Sequence, residues 1–195
     1  MEGSIETLSA VALGIALSAG SGFRVFIPLL VAGLASHFGW IPLGENFAWM
    51  GSVPALIAFG VAAVVEVGAY YIPFIDNLLD TIAVPLSVMA GTLLMSSVFP
   101  ADSEWIKWIM GFVVGGGAAA TIQSGTAITR MASSQFTAGT ANPVLSTTEG
   151  VTATGISVLS LFIPIIIGLL VLVCIMVVLY LLIKKSPRFF KPVRK

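Results

Sequence analysis

The sequence predicts an all-α, polytopic helical membrane protein of about five segments, and three observations carry that prediction. Of 195 residues, 57% are hydrophobic and 9% are charged, with a mean hydropathy of +1.05. An ordinary soluble domain has about 25% charged residues. Gly51–Ile72, Thr81–Phe99 and Ile156–Ile183 are each long enough to cross about 30 Å of hydrocarbon, and Glu66 is the one charge among them. The basic residues are gathered at the end, with six of nine inside Lys184–Lys195.

Taken in order, the first segment, Leu8–Ser36, is too long for one upright helix and contains Gly20, Gly22 and Pro28. Glu2 and Glu6 precede it with no basic residue, the reverse of a signal peptide, so it is expected to be retained as a span. His37–Met50 carries Trp40 and Trp49, aromatic anchors suited to the interface. The second segment, Gly51–Ile72, is ended by Pro73. The third starts near Asp76 and reaches Phe99, with Pro85 and Gly91 inside. Ala101–Trp108 repeats the interfacial pattern with two more tryptophans. The fourth, Trp105–Ala141, begins apolar and becomes rich in Gly, Ser, Thr and Gln. The fifth, Thr154–Ile183, is the most lipid-like, with Pro164 and Gly168 near its start.

This organisation is one transmembrane domain, residues 1–183, followed by a basic tail, residues 184–195. A basic tail after a span fixes that end in the cytoplasm, and five crossings then put the N-terminus outside. A re-entrant hairpin at residues 8–36 or 105–141 would alter that side. With Phe189 and Phe190 interleaved, the tail suits anionic headgroups of the bilayer. Nucleic-acid binding is the weaker reading, because no folded basic domain accompanies the tail.

The fourth segment echoes the first at an offset of 106 (124 − 18 and 130 − 24). Ser18 meets Ser124, Arg24 meets Arg130, and Ala32-Gly33-x-Ala35 meets Ala138-Gly139-x-Ala141. Two residues fewer in the loop place Glu45 on Glu149. Repeat-like units of about 8–99 and 105–183 would be inverted in the membrane, as in many transporters. Abundant small residues account for part of the match. A homo-oligomer could complete the symmetry, though nothing in the sequence demands one.

Ionisable groups inside apolar segments are costly and persist where they face a partner, a cavity or a substrate. Arg24 lies in the middle of the first segment and Arg130 within the fourth; Arg24 follows Gly20-Ser21-Gly22, glycines that could unwind the helix. Gln123, Thr126 and Arg130 share one helical face, with Ser124 beside them and Gly125 expected as a third break in the backbone. A water-lined interior is the preferred reading, and helix–helix glue the structural alternative. Glu66 is expected either to couple a proton or cation, or to pair with Arg24 or Arg130. Asp76 and Asp80 are one turn apart. Asp76 suits a helix cap after Pro73, and the two acids could bind a cation or meet the arginines. Glu149 is expected to cap the fifth helix.

Enzymatic readings fare poorly. No nucleotide-type phosphate loop is present, and with the single His37 there is no metal cluster and no Ser/His/Asp set. No catalytic residue, cofactor or metal is therefore expected. The lone Cys174 excludes an intrachain disulfide.

Ser18–Leu30, Glu66 followed by Tyr70–Asp80, and the Gly-rich segment before Arg130 resemble the bacterial membrane family catalogued as domain of unknown function 4126. The resemblance covers nearly the whole chain. It implies a small integral inner-membrane protein and supplies no activity or substrate. The functional expectation therefore rests on the residues: a small transporter or channel with an arginine-lined path for an ion or an anionic solute or lipid group. The alternative is a non-transporting scaffold with structural ion pairs.

Overall fold

A computed structural model describes residues 2–137 and 140–185; the side chains of residues 2, 73–78, 80, 81 and 185 are outside that description. The described residues form eight α-helices, a 3-10 turn and a π-helical stretch. This is the helical architecture expected of a multi-pass membrane protein.

Helix α1 (Glu2–Ser21) ends before Gly22–Val25, and α2 (Phe26–His37) folds back along it. Leu13 and Leu17 of α1 share a buried cluster with Leu29, Ala32 and Ala35 of α2. A Cβ on Gly20 would meet Pro28 Cγ at 3.1 Å. Residues 40–44, past the end of α2, share a groove with residues near the start of α1. The first apolar segment is thus a hairpin, not one kinked crossing.

A 3-10 turn (Glu45–Gly51) leads into α3 (Val53–Ala69) through a bend of 62°. Ser52 caps α3 by accepting from the Ala55 N–H at 3.4 Å, and Pro54 occupies the first turn, where no donor is missed. Helix α4 (Pro73–Val98) runs antiparallel to α1. Ser18 Oγ donates to the Gly91 carbonyl at 2.8 Å and Ser21 Oγ to that of Ser87 at 3.3 Å.

Helix α5 (Glu104–Met110), the π-helical stretch Gly111–Gly116 and α6 (Gly117–Thr137) make one 34-residue helix. Gly115 lets it approach α4 so closely that a Cβ on Gly91 would sit 2.6 Å from the Gly115 carbonyl oxygen. Helix α7 (Asn142–Phe162) returns, and Ile163 breaks the chain before α8 (Pro164–Lys185). Helix α8 runs parallel to α1 and α6, with Gly168 against Ala12 and Val178 against Gly125.

Three expectations change here. The fifth segment, Thr154–Ile183, is two strokes separated at Ile163. The helix is unbroken through Gly125, and Gly20 lies inside α1; among the three glycines expected to break the backbone, only Gly22 lies at a break. The two halves also do not fold alike, since Arg24 sits in a break and Arg130 inside a helix. Ala138 and Gly139 of the repeated pattern lie outside the described residues.

By length and composition, Gly3–Ser21, Glu104–Thr137 and Pro164–Lys184 can each cross a membrane, and the bent pair ending at Ala69 makes a fourth candidate. Phe26–His37 and Ile82–Val98 are shorter apolar helices. The predicted five segments are therefore approximate. One end of the bundle gathers the start of α1, residues 38–52 and Ile163. The other gathers Gly22–Val25, Tyr70 and Lys184.

Candidate functional site

The break between α1 and α2 frees backbone donors that a continuous helix would satisfy. Val25, at the N-cap position, has no side-chain oxygen to offer. Glu66 of α3 takes that role from across the bundle. Its Oε1 accepts from the Val25 N–H at 2.8 Å and its Oε2 from the Phe26 N–H at 3.1 Å. A carboxylate at a helix N-terminus is also favoured by the helix dipole. Glu66 is therefore a tertiary helix cap, a role that neither sequence expectation, proton or cation coupling or pairing with an arginine, included.

This assignment has a measurable consequence. Glu66→Leu is expected to lower unfolding stability by about 2–3 kcal/mol, the scale of hydrogen bonds to a charged group plus the orphaned donors. Glu66→Gln, which keeps one acceptor, should cost roughly half of that. Thermal unfolding of the purified protein checks the size, and faster amide exchange at Val25 and Phe26 checks the location.

Arg24 is 1% exposed and points to α7, where its Nη2 donates to the Ser146 carbonyl at 2.9 Å and to Ser146 Oγ at 2.6 Å. The same nitrogen lies 3.5 Å from Glu149 Oε2. Ser146 and Glu149 are three residues apart on α7, hence on one face. Arg130, 3% exposed, arrives from α6 and grips Glu149 with two nitrogens, Nε to Oε1 at 3.1 Å and Nη2 to Oε2. Such a two-point guanidinium–carboxylate grip fixes geometry as well as charge.

Tyr70, buried at the end of α3, completes the node. Both guanidinium carbons lie over its ring, at 4.0 Å for Arg24 and 4.2 Å for Arg130, within cation–π range. Two arginines 106 positions apart (130 − 24) thus converge on one carboxylate and one aromatic face. Glu149 is the ion partner inside α7, not a helix cap. Its expected repeat counterpart, Glu45, is exposed in the 3-10 turn.

The other expected site residues divide. Gln123 is buried in α6, two turns before Arg130. Ser124 and Thr126 turn their hydroxyls back to their own helix, onto the carbonyls of Ala120 at 2.7 Å and Gln123 at 2.9 Å. That back-bonding satisfies them without a partner element. Asp76 and Asp80 lie in the first turns of α4, and their side chains fall outside the described residues. Ser146 and Tyr70 were not among the expected site residues, although Ser146 stands one turn before Glu149, a signal within reach of helical spacing.

Depth is the second surprise. Val178 touches Gly125, and Lys184 is six residues further along α8, about 9 Å of helical rise. Arg130 is five residues beyond Gly125 on the parallel helix α6. The node therefore lies near the Lys184 end of the bundle, not midway along it. Two cavities flank it. One of about 730 Å³ lies between α6, α7 and α8 and has Phe23 and Glu149 in its wall. The other, about 210 Å³, is lined by Val25, Glu66 and Tyr70 among apolar side chains. Among the described residues, no group of three His, Cys, Asp or Glu side chains is placed to hold a metal ion.

Fold and site together define an α-helical multi-pass membrane protein organised around a buried arginine–glutamate–arginine node. The chain belongs to the family described as domain of unknown function DUF4126, which matches residues 11–184. That span contains Arg24, Glu66, Tyr70, Arg130 and Glu149. No curated protein and no solved structure matches the chain.

Proposed function

We propose that this protein is a small membrane transporter or channel that passes an ion or an anionic solute or lipid group past Arg24 and Arg130. One observation carries the reading. Arg24 is buried, yet among the described residues its Nε and Nη1 have no hydrogen-bond partner. Those two nitrogens bear three N–H donors, and each unsatisfied buried donor costs about 1–3 kcal/mol. A visiting anion would relieve that cost, with Glu149 as the resident counter-ion it displaces. The cavities on either side of the node support such a path, and Glu66, Asp76 and Asp80 would balance charge along it. In this reading the protein has no catalytic residue, resides in the inner membrane and keeps its C-terminus in the cytoplasm.

The test is anion flux into proteoliposomes, measured for the wild type and for folded Arg24→Met. Loss of flux is the expected result, and unchanged flux would end the proposal.

A scaffold without transport is the second reading, favoured by the structural work of two acids, Glu66 as a cap and Glu149 as an ion partner. It predicts that the charge-neutral pair Arg130→Met with Glu149→Met keeps fold and assembly with no functional loss. Under the transport reading, the same pair abolishes flux.

A further inference from the structure

The 730 Å³ cavity between α6, α7 and α8 is more than a flank of the node. Its lining is mostly apolar, with Phe23, Ile122 and Leu145 beside Val178, Leu181 and Leu182 of α8. Ile128, Cys174 and Leu181 in its lining are exposed, so it opens to the outside of the bundle. In a membrane that outside is lipid.

Polar groups are confined to particular places. Thr129 and Thr148 bond their own helices, and Glu149 is held by the arginines. Lys184 stands where α8 ends and also lines the cavity. Among the described residues Lys184 forms no ion pair; its ammonium rests 5.7 Å over the Tyr180 ring. A lysine at the end of a membrane helix extends to the headgroup layer, and cations there attract anionic lipid.

We propose that this cavity is a lateral docking site for one phospholipid with an anionic headgroup. An acyl chain lies against Ile122, Gly125 and Val178, and the phosphate meets Lys184. The lining fits this occupant, since on α8 it runs from Cys174 to the Lys184 cation, ten residues or about 15 Å of helical rise. The site stands whether or not the protein transports anything, because it needs no access to Arg24.

Cys174 is the one cysteine in the chain and lines this cavity, so it reports occupancy directly. The experiment measures its reaction rate with a maleimide on protein freed of lipid in neutral detergent. Phosphatidylglycerol, phosphatidylcholine or inorganic phosphate is then added. Phosphatidylglycerol is expected to slow the reaction several-fold, phosphatidylcholine much less, and phosphate not at all. Lys184→Glu should erase the difference between the two lipids, whereas Gly125→Leu, which fills the cavity, should erase protection by both. Equal protection by the two lipids overturns the proposal. So does phosphatidylglycerol protection that survives Lys184→Glu, which would assign the preference to the rest of the basic tail. If Gly125→Leu does not fold, Lys184→Glu decides alone.

Discussion

Glu149→Ala is expected to lower unfolding stability by about 3–5 kcal/mol, the cost of leaving a buried charge without its partner. The substitution removes the carboxylate that Arg130 grips and that Arg24 approaches to 3.5 Å. Removal of Arg130 alone should cost less, because Arg24 remains 3.5 Å from Glu149 as its counter-ion. Removing both charges together as Arg130→Met with Glu149→Met should cost less than the sum of the single changes, because only Arg24 then loses its carboxylate. Buried pairs replaced by apolar side chains of similar volume are often neutral, and neighbours in one network are not additive. Thermal unfolding in detergent micelles across this double-mutant cycle measures all of it. Additive losses would show that the node is not an energetic unit.

Gly91→Val is expected to be nearly as damaging, by about 3 kcal/mol, the upper end of what overpacking usually costs. A Cβ at this position meets the Gly115 carbonyl oxygen at 2.6 Å and Ala119 Cβ at 2.7 Å. Neither is the far end of a flexible side chain, so the helices must separate. The Gly91 carbonyl also accepts from Ser18, which ties α1 to the same crossing. Small residues permit such backbone approach between membrane helices, where van der Waals contact supplies much of the association. Gly60, which has open space around it, is the control: Gly60→Ala should leave stability unchanged or raise it slightly, as alanine favours helix. Unfolding midpoints of the two variants in one detergent settle the comparison. Equal midpoints would mean that the crossing tolerates separation.

Much of this was legible from residues alone. The membrane class followed from apolar length and charge scarcity, both local properties. Arg24, Glu66 and Arg130 stood out because an ionisable group in an apolar run is costly wherever the chain folds. The backbone break at Gly22 was legible for the same reason, as glycines beside an arginine disfavour a continuous helix. Gly125 misled because an isolated glycine weakens a helix without ending it. In α6 its missing side chain makes room for Val178 instead.

The sequence by itself thus determined that this is a helical membrane protein and which side chains it must bury at a cost, and it offered Gly22 among three candidate breaks. Only the tertiary structure decided who partners whom. Arg24 reaches Ser146, 122 positions away, and Glu66 caps a helix 41 positions before it. Pairings of that range depend on which turns of which helices meet, and on the hairpin that brings α2 back along α1. Hydropathy scores each segment separately and is blind to both. The same geometry carried the two arginines from the apparent middle of their segments to the Lys184 end. There they hold one glutamate between them.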